Sequence, residues 1–143
     1  MAYNQIQMKK QGFQEKSHTA DWEIEAWAVD MEGLFKQTAE GMASLSGLEI
    51  GGATNEELRY IELTARDEET LLVRFLSELL YWVENENVGF KVRRIAFHRR
   101  HLRAEIEVGP ILKIDKIIKA VTWHDLVIRK SEGVFSVSIV FDV

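Results

Sequence analysis

Asp21 and Asp142 are the residues of this chain whose types and positions could do chemistry together. Asp21 opens an alternating stretch in which Trp22, Ile24, Ala26 and Ala28 share one face, and Asp21, Glu23, Glu25 and Trp27 the other. Asp142 closes a second such stretch, 134–143, where Phe135, Val137, Ile139, Phe141 and Val143 share the apolar face. One carboxylate stands at a strand start and the other at a strand finish, each on the less apolar side. Antiparallel pairing of the two strands would bring both to one edge. Carboxylates held that close repel unless one is protonated or a cation lies between them. Oxygen-only ligation suits a hard divalent ion, Ca²⁺ or Mg²⁺, with Mn²⁺ also compatible. The plainer alternative is a pair of solvated turn formers.

The neighbouring polar residues have plain readings of their own. His18 and Thr19 precede Asp21 and could do no more than bond the turn backbone. His124, beside Trp123, reads as a half-buried strand residue. The chain has no cysteine, no Gly-x-Ser-x-Gly, no phosphate-loop pattern and no His-Glu-x-x-His. Nothing gathers a nucleophile, a base and an orienting group, so no catalytic residue is expected. Lys91, Arg93, Arg94, Arg99, Arg100 and Arg103, with His98 and His101, form a local reversal of an acidic chain. Such a run is either a solvated hairpin or a docking patch, centred on Arg99 and Arg100, for RNA or an acidic partner.

The elements that must position these residues follow from composition and period. At 143 residues, 46% hydrophobic and 29% charged, the chain suits one soluble domain, 13–143, after a loose segment at 1–12. A net charge of −5 disfavours nucleic-acid binding by the surface as a whole. No apolar run reaches membrane-spanning length, and the polar start lacks a signal-like core; a cytoplasmic protein without a membrane partner is expected. Asp30 and Asp67 are N-cap residues ahead of helical periods, the first over Met31–Leu45 and ending at Ser46-Gly47, the second over Glu68–Glu84. Strands are expected at 12–16, 21–28, 58–65, 92–98, 102–108, 120–129 and 134–143, with Arg99-Arg100-His101 as a hairpin turn. Gly51-Gly52 marks a loop over 48–56, and Gly109-Pro110 a break. Residues 111–118 fit strand and helix equally. The expectation is an α+β domain with two helices packed on one face of a largely antiparallel sheet.

Four blocks stand in order along the chain: His18-Thr19-Ala20-Asp21 with Glu25-Ala26-Trp27, Leu71-Leu72 to Glu78-Leu79-Leu80-Tyr81, Lys119-Ala120-Val121-Thr122-Trp123-His124-Asp125-Leu126, and the closing Val140-Phe141-Asp142-Val143. Together they resemble the archease family. The resemblance implies a non-enzymatic cofactor protein of an RtcB-type RNA ligase. It would promote guanylylation and turnover of the ligase in tRNA splicing and RNA repair, meeting RNA indirectly through it. It also implies a metal site at Asp21, Asp142 and the terminal Val143, and a functional Lys119. Ca²⁺ is the expected ion, and His18 and His124 are further candidates around it. Ser17, where the family commonly has an acid, and Trp123, where it commonly has tyrosine, depart from the pattern. The competing readings are a free-standing metal-dependent phosphohydrolase using the same carboxylates, and an RNA-binding or chaperone module working through the basic hairpin.

Overall fold

Among the described residues each helix starts on an aspartate. Asp30 is extended, and its Oδ1 accepts the Gly33 amide at 2.7 Å to open α1 (Met31–Ser46). Asp67 accepts the Thr70 amide at 2.7 Å to open α2 (Glu68–Glu86). Each bond satisfies an amide that the first turn leaves without a helical partner. Glu68 and Glu69 add negative charge where the helix dipole favours it. Left-handed residues end both helices, Gly47 at φ 69° and Asn87 at φ 56°.

The computed structural model describes residues 10–16, 22–52 and 57–143. Among them the strands are β1 (Gly12–Lys16), β2 (Trp22–Ala28), β3 (Glu49–Ile50), β4 (Glu57–Thr64), β5 (Val88–His98), β6 (His101–Lys113), β7 (Ala120–Val121), β8 (Arg129–Ser131) and β9 (Val134–Asp142). Most of the expected loose N-terminal segment, residues 1–9, lies outside the described residues, as do residues 53–56 of the expected loop.

Every strand pairing is antiparallel. The strands form two sheets: β1-β2-β9-β7 with β8 also on β9, and β3-β6-β4 with β5 also on β6. The architecture is the expected α+β, with the strands shared between two sheets. Helix α1 packs on β1, β2 and β9 of the first sheet and β5 of the second, and α2 on β4, β5 and β7. Ile24, Leu34, Phe35, Leu72, Phe75, Leu76, Ile106 and Ile139 belong to a single core cluster drawn from both sheets and both helices. Along β6, Leu102, Ala104, Ile106 and Val108 are buried, while Arg103 is exposed and Glu105 and Glu107 are half-buried, as a strand with one covered face requires.

Three boundaries differ from the sequence reading. The stretch expected as a loop over 48–56 carries the short strand β3 at Glu49–Ile50, paired with β6. β6 runs through Gly109-Pro110 rather than breaking there. Pro110 has no amide to give, but its carbonyl accepts Gly51 N at 3.0 Å, and the strand continues by pairing with β3. Gly109 is required at that point, because a Cβ would collide with the Gly51 carbonyl oxygen. The expected strand 120–129 keeps only Ala120–Val121 at its start and Arg129 at its end. Between them the chain turns: the His124 amide donates to Thr122 Oγ1 at 3.3 Å, and Asp125 takes a left-handed φ of 50°. His124 is therefore exposed in a turn, not half-buried on a strand.

Candidate functional site

The register of β2 and β9 decides where the candidate carboxylates can meet. Trp22 lies opposite Phe141, so the start of β2 and the finish of β9 share an edge. On the other flank of β9, Ala120 lies opposite Asp142 and Val121 opposite Phe141. Lys119 N donates to Asp142 O at 2.7 Å, and Thr122 N to Val140 O at 2.9 Å. Below this edge Phe141, Val121 and Ile118 are buried; above it Asp142, Lys119, Trp123 and Val143 are exposed. Asp142 thus stands on a backbone held from β7, with its side chain free to meet solvent or a ligand.

Not every candidate residue is brought to this edge by the described chain. Asp21 and His18 lie outside the described residues; Asp21 is bonded to Trp22, the residue opposite Phe141. Strand parity would bury the Val143 side chain with Phe141. The strand instead ends at Asp142, and Val143 is 48% exposed, so Phe141 and the β7 bonds anchor the strand end. His124 points its Nε2 at Asp125 Oδ2, 3.2 Å away, within the exposed turn that follows β7. Among the described residues no three His, Asp or Glu side chains gather closely enough to hold a metal ion.

One contact at the edge had no signature in the sequence. The Lys116 ammonium sits 2.9 Å from the centroid of the Trp22 ring, a cation–π contact that fixes a positive charge beside the start of β2. Lys116 and Lys119 therefore flank the edge where Asp142 lies. The 114–119 segment that carries them is tied to the end of α1, since Asp115 N and Lys116 N both donate to Ser46 O, at 2.8 and 3.2 Å. The outer face of the same sheet is already paired internally. Lys16 Nζ reaches Glu23 Oε2 and Ser138 Oγ, each at 3.3 Å, and Gln14 Nε2 donates to Glu25 Oε1 at 3.0 Å.

The basic run from Lys91 to Arg103 lies on β5, the turn that follows it and the start of β6. Arg99 and Arg100 are the two turn residues between the paired His98 and His101, and both are exposed.

Comparison with known proteins places the chain. The sequence model of the archease protein family matches residues 13–143. The chain belongs to the archease family. A protein archease of Methanosarcina mazei is 30% identical over 139 residues, spanning 88% of this chain and 92% of that one. The crystal structure of a Thermotoga maritima archease, described there as a possible chaperone, superposes with a TM-score of 0.68 at 20% identity, covering 91% of this chain and 96% of that one. A solution structure of a Methanobacterium thermoautotrophicum protein gives 0.65 at 25% identity, covering 92% and 99%. The archease match includes every candidate residue named above, from His18 to Val143.

Proposed function

We propose that this archease is a non-enzymatic accessory protein that activates an RtcB-type RNA ligase, promoting its guanylylation and turnover. The observation that supports it most is the edge where β2 begins and β9 ends, carrying exposed Asp142 inside a family match that runs from residue 13 to 143. Asp142, Asp21 and a main-chain oxygen of Val143 would supply an all-oxygen donor set. That set suits a hard divalent ion, Ca²⁺ first and Mg²⁺ or Mn²⁺ next. When bound, the ion would supply positive charge to an incoming nucleotide phosphate at the ligase. Lys119 and Lys116, on the same edge, would add to that field. His124 sits on the adjoining turn and His18 precedes Asp21 in sequence, so both rank as supporting candidates. No helix among the described residues is long and apolar enough to cross a membrane. We take the working compartment to be the cytoplasm.

The test is a guanylylation assay with GTP and RNA ends, run with the protein alone and then with the ligase. Stimulation only in the presence of the ligase is expected, lost in Asp21→Ala and in Asp142→Ala while both variants melt normally. Turnover by the protein alone would instead support a metal-dependent phosphohydrolase.

A further inference from the structure

We propose that the exposed flank of β5, together with the β5–β6 turn, is a track that binds the phosphate backbone of an RNA strand directly. The choice of RNA among polyanions rests on the ligase reading; the track itself rests on geometry. From Lys91 to Arg103 the chain carries six lysines and arginines and no acid. Phe90, Val92 and Ile95 are buried, so Lys91, Arg94, Ala96 and His98 face outward. The register shifts between Val92 and Arg94, which leaves Arg93 without an opposing residue on β6 and exposes two consecutive guanidinium groups. At roughly 3.3 Å per residue, Lys91 to His98 covers about 23 Å, the length of several phosphates along an extended strand.

Partial pairing leaves most of this charge available. Arg94 meets Glu105 at 3.1 Å and Arg103 meets Glu62 at 3.4 Å, each in a solvent-screened pair. Among the described residues, Lys91, Arg93 and Arg99 have no ion-pair partner. The turn gathers more cations from elsewhere in the chain. Ala65 N donates to Arg100 O at 3.4 Å, bringing in Arg66, whose side chain is 89% exposed and meets Asp67 Oδ2 at 3.5 Å, and Arg74 Nη1 donates to Thr64 O at 2.7 Å at the same end. Arg103 lies 5.2 Å from the centroid of the Tyr60 ring, and Tyr60 is 52% exposed, a flat surface on which a base can stack.

Two features favour an extended polyanion over an acidic protein. The cations are mainly arginines, whose planar forks fit phosphate oxygens in pairs, and they run in a line rather than a patch. Arg99 also holds a left-handed φ of 58°, a turn position that asparagine or glycine would occupy with less strain. The strained position displays a guanidinium at the outermost point of the hairpin.

Fluorescence anisotropy with an end-labelled single-stranded RNA, using the full chain without ligase, tests the track. Binding should weaken with salt at a slope of about −2 to −3 in log–log form, as three or four neutralised phosphates require. The double variant Arg99→Glu/Arg100→Glu should lose at least about tenfold in affinity. Arg99→Asn should lose affinity while melting at or above the parent temperature, which separates loss of charge from loss of fold. Absent binding by the parent protein at low salt, or unchanged affinity in the double variant, would overturn the proposal. So would a double variant that keeps its RNA affinity but no longer stimulates the ligase, since that outcome assigns the hairpin to an acidic protein partner. RNA binding that depends on these arginines in a protein that never stimulates the ligase would uphold the track and remove the ligase reading instead.

Discussion

Asp67 shows how much a single side chain does for this fold. The Thr70 hydroxyl and then the Thr70 amide, both bonded to its carboxyl, hold its pKa below the usual 3.8, with Arg66 and Arg100 adding smaller attractions. A carboxyl whose pKa is lower folded than unfolded adds stability above its unfolded pKa. That stability is lost as pH falls through the folded value. The melting temperature of Asp67→Ala should therefore lie below the parent's at neutral pH and converge with it in strong acid. Thermal melts across the acid range would check this, and a constant gap at every pH would dismiss the linkage. Asp142 behaves oppositely in stability terms. It is exposed and, among the described residues, its side chain makes no hydrogen bond or ion pair, so Asp142→Ala should change unfolding free energy by no more than about 0.5 kcal/mol. Denaturant titration of that variant, beside its ligase assay, separates a lost function from a lost fold.

At the scale of elements, the end of α1 connects the core to the candidate edge. Gly47 takes φ 69°, and a Cβ there would collide with the Asp115 carboxylate. Gly47→Ala should cost about 1–2 kcal/mol from the left-handed backbone alone. It should also displace 114–119 and with it Lys116 and Lys119, lowering ligase stimulation; urea unfolding and the guanylylation assay would read the two effects. The helices were legible in the sequence because Asp30, Asp67 and Gly47 carry local backbone chemistry that needs no tertiary partner. The stretch 120–129 was not. Its strand-like composition says nothing of the Thr122 hydroxyl bond or the left-handed Asp125 that turn the chain. The Lys116–Trp22 contact was beyond reach for a different reason: it joins residues far apart in sequence that share no period.

At the scale of the whole molecule, Phe35 joins three elements in one contact. Its ring meets Phe75 of α2 at 5.9 Å and Phe97 of β5 edge-on at 4.9 Å. Phe35→Ala should cost about 3–5 kcal/mol, a large share of the stability of a domain this size. Calorimetry should find it the least stable of the variants named here. Alternation along β2, β6 and β9 revealed which face of each strand is buried, but no pattern in one strand names its neighbour. The division into two sheets, with β3 and β4 both on β6, was therefore invisible. The shared edge of β2 and β9 could be anticipated only as a condition: if the two strands paired antiparallel, their carboxylate ends would coincide. The register of Trp22 against Phe141 supplies that pairing for the described part of the chain.

The irregularity at Arg93 also bears on how these molecules behave in a crowd. Among the described residues β5 bonds only to β6, so its other side is a row of backbone groups with no strand partner. A flat strand of that length invites copies to zip together. The extra residue twists the row and places charge along it, the means by which natural sheets resist fibrous aggregation. Deleting Arg93 would restore an even strand and remove one of those charges. Such a protein should retain its helices by circular dichroism yet form dimers and larger assemblies on concentration, visible by light scattering where the parent stays dispersed.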